Sequence, residues 1–110
     1  MSDSDTLANF VVLIGLAILM LITTALIPPR PTAAELCAEH SWSDHDCQRI
    51  ADQIIWLGMT DEQARLSWGP PTKTNRSVGS WGVHEQWVYR YKYSSDYLYF
   101  ENGILTSWQR

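Results

Sequence analysis

The sequence predicts an α+β protein: one N-terminal transmembrane helix plus a small domain with helices packed on a three- or four-stranded antiparallel sheet. Three observations predict this. Residues 7–27 form a run of 21 residues without a charge. Residues 33–69 carry helix-cap signals and apolar residues three and four apart. From Thr72 onward the apolar period becomes two, broken by turn pairs. Helices first and strands afterwards point to helices covering one face of an antiparallel sheet, not to alternating βαβ units.

After a six-residue tail (1–6), the run LANFVVLIGLAILMLITTALI would span roughly 30 Å as a helix, the thickness of a bilayer's hydrocarbon core. Lipid leaves backbone polar groups no partner but each other, so such a run should be helical. The leader MSDSDT holds Asp3 and Asp5 and no Lys or Arg, and the apolar run exceeds a signal peptide's core. The segment is therefore expected to be a retained anchor. Gly15 and Ala17 form a small-residue patch where a neighbouring membrane helix could approach. Pro28, Pro29 and Pro31 stop the helix, and residues 28–32 read as a stiff linker to the domain at 33–110.

Within the domain, Ala33–His40 are good helix formers. Ser43 opens a second helix, with Asp46 three residues on in a near capping box. Cys47, Ile50, Ile54 and Leu57 recur at three or four, which predicts one buried face ending at Gly58. Thr60 opens a third helix with Gln63 at the capping-box position, ending at Trp68-Gly69-Pro70-Pro71. Strands are then expected at 72–78, 83–93, 97–100 and 104–108, with turns at Gly79–Gly82, Ser94-Ser95-Asp96 and Asn102-Gly103. The last is the strongest hairpin signal in the chain.

The net charge is −4, and all eight basic residues lie in or beside the domain together with ten of the twelve acidic ones. No basic stripe suggests nucleic acid. Arg30 is the one basic residue flanking the anchor and favours a cytoplasmic domain. The two cysteines favour the opposite side, because a small domain gains from a disulfide and disulfides persist in oxidising compartments. The balance predicts an inner-membrane protein with its C-terminal domain in the periplasm.

Cys37 and Cys47 lie ten apart. A disulfide is the favoured reading, with two free thiols as the plain alternative. Zinc is the third, since Cys37, His40, His45 and Cys47 read C-x2-H-x4-H-x-C, four ligand types at a spacing unlike a standard finger. His84 stands beside Glu85 without a nucleophile or orienting group and reads as a solvated strand residue. Neither a phosphate loop nor a haem-attachment motif occurs. We therefore expect no catalytic residues, no cofactor, no metal and no small-molecule substrate. The aromatic residues are the functional lead. Trp87, Tyr89 and Tyr91 share one parity against Val88, while Tyr97 and Tyr99 oppose Leu98 and Phe100. Helices can cover only one face, so Tyr97, Tyr99, Trp87, Tyr89 and the turn residue Trp81 are candidates to bind a partner. The plain alternative is that all these rings fill the core.

Residues 56–65 (WLGMTDEQAR) followed by Trp68-Gly69-Pro70-Pro71 resemble the signature of the SmpA/OmlA (BamE-like) domain. Trp87-Val88-Tyr89 and Phe100-Glu101-Asn102-Gly103-Ile104-Leu105 resemble its strand and hairpin. The resemblance covers about residues 54–108. It implies a compact two-helix, three- or four-stranded fold that mediates protein–protein contacts without catalysis. That family carries a lipidated cysteine, whereas Ala34-Glu35-Leu36-Cys37 lacks the lipobox residue types and the anchor here is a transmembrane helix. The expected function is that of a single-pass accessory subunit. It would anchor in the bilayer and dock its domain on a larger membrane protein complex, of respiratory, photosynthetic, secretion or envelope-assembly type. The alternative is an envelope module that grips peptidoglycan or lipid through an aromatic sheet face.

Overall fold

Three short polar side chains set the starts of three helices. Thr32 accepts a hydrogen bond from the Glu35 amide at 3.2 Å and opens α1 (Ala33–Glu39). Ser43 accepts from the Asp46 amide at 3.1 Å and opens α2 (Asp44–Ala51). Thr60 opens α3 (Asp61–Trp68) with a full capping box: its hydroxyl accepts from the Gln63 amide at 3.1 Å, and the Gln63 side chain accepts from the Thr60 amide at 2.9 Å. Each cap satisfies donors that a helix start leaves unpaired. The structure is a computed structural model describing residues 29–110. The expected transmembrane helix at 7–27, with Gly15 and Ala17, lies outside the described residues. Among the described residues no helix is long and apolar enough to cross a membrane.

The second helix is shorter than its sequence period suggests. It stops at Ala51, and Ile54 and Leu57 are exposed (46% and 58%), not buried. The cause is a Schellman-type ending. Gln53 turns left-handed at φ 60°, its amide bonds Ile50 O at 3.0 Å, and the Ile54 amide bonds Arg49 O at 2.9 Å. The apolar spacing of three and four thus continues past the helix into a loop. Gly58, read as the helix stop, instead donates from its amide to Leu105 O at 2.9 Å.

Four strands follow: β1 (Lys73–Gly79), β2 (Gly82–Arg90), β3 (Ser95–Glu101) and β4 (Ile104–Gln109), in the order β1-β2-β3-β4. Every neighbouring pair is antiparallel. Two-residue loops join β1 to β2 at Ser80-Trp81 and β3 to β4 at Asn102-Gly103. Asn102 and Gly103 have φ of 50° and 80°, the left-handed pair of the turn that matches strand twist. The middle turn is displaced from its expected place. It closes through the Tyr91 amide to Ser94 O at 2.8 Å, and Ser95 and Asp96 already belong to β3. The run of aromatic residues through Tyr91 and Tyr93 hides this turn, because composition there stays strand-like to its end.

Two apolar clusters hold the domain. The larger joins Met59 and Ala64 to Trp87, Tyr89, Leu98, Phe100 and Leu105, with the Trp87 and Phe100 rings 4.5 Å apart. The smaller joins Leu36, Cys47 and Ile50 between α1 and α2, with Trp42, Trp56 and Leu66 against it. Cys37 and Cys47 form a disulfide across this second cluster, with Cα atoms 5.8 Å apart. His40 stacks on Trp42 in the α1–α2 connection (3.8 Å, 3°), and its contact with Glu62 at 3.7 Å reaches α3. The segment Gly58–Asp61 runs along β4, with Thr60 bridged to Ile104. This contact seats the capping box against the sheet.

Candidate functional site

Strand register assigns each side chain to one of two sheet faces. Trp87 pairs with Leu98, and Glu85 with Phe100, on the helix-covered face. On the opposite face Gln86 pairs with Tyr99, Val88 with Tyr97 and His84 with Glu101. Asn75 and Ser77 of β1 and Ser107 and Gln109 of β4 extend that face across the whole sheet. Among the described residues no helix packs on it.

The sequence-predicted aromatic set therefore divides. Trp87 (1% exposed) and Tyr89 (6%) are core residues, so their candidacy as partner contacts is corrected. The Tyr89 hydroxyl donates to Gly69 O at 2.9 Å, and burial pushes its ionisation up to about 12, against the opposing pull of the Arg65 charge. Trp68 meets the Tyr89 ring edge-on at 5.3 Å, which completes that environment. Tyr97 and Tyr99 lie half-buried on the open face, while Leu98 and Phe100 are fully inside. Trp81 is 57% exposed in the β1–β2 turn.

The open face carries planar polar groups, with Val88 (4% exposed) covered among its side chains. Asn75 Nδ2 donates to Gln86 Oε1 at 2.9 Å, Gln86 Nε2 donates to the Tyr99 hydroxyl at 3.3 Å, and that hydroxyl donates to Gln109 Oε1 at 3.3 Å. One hydrogen-bonded row thus crosses all four strands. It fixes the Tyr99 ring and leaves further amide donors and acceptors turned to solvent. Beside the row lies a groove of about 370 Å³, lined by Asn75, Ser77, His84, Gln86, Tyr99 and Ser107 among others. At one end the Trp81 indole lies over the Gly79 backbone, in the space a Cβ there would need, and its centroid is 6.4 Å from that of His84. The absence of a side chain at Gly79 is what lets this ring fold back.

Sequence reading missed the row, because an Asn, a Gln, a Tyr and a Gln at 75, 86, 99 and 109 become neighbours only through register. Their shared parity within correctly paired strands was the one available signal. Cys37 and Cys47 bond to each other, so the thiolates that a zinc site would need are taken. Among the described residues no three His, Cys, Asp or Glu side chains come together as a metal site. On this face Ser77 and Glu101 lie opposite His84 by register, with no hydrogen bond joining the three side chains. The face offers aromatic surface and oriented amides that can bind. Comparison with family models, curated proteins and solved structures finds no match to this chain, so the SmpA/OmlA resemblance rests on the residues quoted for it.

Proposed function

We propose that this protein is a non-catalytic, single-pass accessory subunit. Its N-terminal segment anchors it in the inner membrane. Its domain stands on the periplasmic side and docks on a larger membrane protein complex through the open sheet face. One observation carries the reading: a whole face of a four-stranded sheet carries Tyr97, Tyr99 and the cross-strand row without a covering element among the described residues. Rigid aromatic rings beside satisfied polar groups are what central interface contacts are made of. The disulfide supports the periplasmic side, since such a bond persists in an oxidising compartment. The resemblance to the SmpA/OmlA domain supports an accessory role in the same sense.

A second reading has its own support. Planar amides beside an exposed Trp81 plate also suit a neutral envelope glycan, whose sugar faces stack on aromatic rings and whose hydroxyls pair with amides. Affinity purification of the full-length chain in mild detergent separates the two. The subunit reading expects membrane proteins in fixed stoichiometry. Recovery of wall fragments without such proteins would overturn it in favour of the glycan.

A further inference from the structure

The two edges of the sheet differ in chemistry. β1 carries Lys73 and Arg76, and paired prolines, Pro70 and Pro71, precede it, the usual devices that keep an edge from pairing. β4 reads Ile104-Leu105-Thr106-Ser107-Trp108-Gln109 and has no charge. Its outer edge is half filled by the chain itself. The Gly58 amide bonds Leu105 O, the Leu105 amide bonds Met59 O and the Asp61 amide bonds Gly103 O, each at 2.9 Å, in an antiparallel sense. A register shift opposite Tyr99 and Phe100 then marks the end of the filled half. Before Gly58 the chain turns, closed by the Met59 amide to Trp56 O at 3.3 Å. Among the described residues no main-chain group bonds the outer edge of 106–109.

What flanks this open half is apolar. Leu57 is 58% exposed, Ile54 46% and Trp108 42%. Two hollows share Trp108 as a common wall. One, of about 230 Å³, lies between Leu57 and Thr106-Ser107-Trp108. The other, of about 270 Å³, lies among Ile54, Ile55, Trp68, Trp108 and Arg110. Alternate residues of an extended strand point to one side about 6.8 Å apart.

We infer that the outer edge of β4 at Thr106–Gln109 is a strand-addition site. It takes a short extended segment of a partner protein, with apolar side chains at alternate positions, as a fifth antiparallel strand. The occupant follows from the edge. Open backbone donors and acceptors require an extended backbone, and the strand line is the one that Gly58–Asp61 already occupies over the neighbouring half. A second copy's β4 fits less well. Paired antiparallel over four residues, its Arg110 end would run into the Gly58 segment that bounds the site. This surface is separate from the open face and does not depend on the docking proposed there.

The test is amide hydrogen exchange on the full-length chain in its native membrane vesicles, against the same chain purified in detergent. Strand addition slows backbone amides, which side-chain docking at a distance would leave alone. The inference expects amides within 106–110 to exchange at least tenfold slower in the vesicles. It expects Leu57→Asp to abolish that difference, with circular dichroism unchanged because Leu57 is exposed. The change Tyr97→Ala with Tyr99→Ala is expected to leave the tenfold difference at 106–110 in place, which keeps this site's failure distinct from failure of the open face. Equal exchange in vesicles and detergent would overturn the inference. So would protection already present in the purified chain, which would mean that a second copy or the chain's own remaining segment covers the edge.

Discussion

At the residue scale the structure turns on single atoms with countable partners. The disulfide closes a loop of ten residues, which by loop entropy contributes about 2–3 kcal/mol. Changing both Cys37 and Cys47 to Ser is expected to lower the melting temperature by roughly 10–20 °C for a domain of this size. A thermal melt checks this, and an unchanged melt would mean that packing of Leu36 and Ile50 holds α1 without the bridge. Tyr89 gives a pH signature. Its phenol is held neutral up to about 12, chiefly by burial, whereas an unfolded chain ionises it near 10. The stabilisation is full below 10 and is lost as pH rises from there through about 12, because the unfolded state alone sheds the proton in that window. Tyr89→Phe should cost about 1 kcal/mol at neutral pH through the bond to Gly69 O, and should flatten the alkaline loss. Urea unfolding at neutral and alkaline pH reads both. Legibility was uneven at this scale. The cysteine pair could be read from spacing and domain size. Tyr89 could not, because its parity and Tyr97's are equivalent until the helices choose a face.

At the element scale, the local signals that held were those with a specific stereochemical cause. Thr60 with Gln63 and Asn102 with Gly103 each name one geometry, and each forms, while Ser43 caps α2 through the Asp46 amide without the reciprocal side-chain bond. Thr60→Ala should cost about 1 kcal/mol, seen as a lower denaturation midpoint with unchanged slope. Gly103→Ala places a side chain at φ 80° and should cost about 1 kcal/mol or more, with the loss concentrated in β3–β4 amide protection. Signals resting on composition alone failed at boundaries. The end of α2 was misplaced because Gln53 takes the left-handed position usually signalled by Gly, and Ile54 and Leu57 kept the helical spacing beyond it. The β2–β3 turn was misplaced because Tyr91 and Tyr93 look like strand.

At the scale of the whole molecule, four antiparallel strands under three helices leave one face, the β1 edge and half of the β4 edge open among the described residues. The α+β architecture was legible from the change of period alone. The distinction between the faces was half legible: parity set Leu98 and Phe100 against Tyr97 and Tyr99, while Trp87 and Tyr89 required the packing of α3 and Met59 to show that they belong with the former pair. Tyr97 and Tyr99 are half-buried on the open face, outside both apolar clusters, so truncating both should spare the fold. Central aromatic contacts are each worth about 2 kcal/mol or more in an interface, about thirtyfold in affinity apiece. The most direct measurement is co-purification of the full-length Tyr97→Ala, Tyr99→Ala double variant from native membranes, with circular dichroism on the same sample. The account predicts a folded domain and loss of the stoichiometric partner. A folded double variant that keeps its partner in full yield would contradict it, as would one that unfolds, which would place these rings in the core.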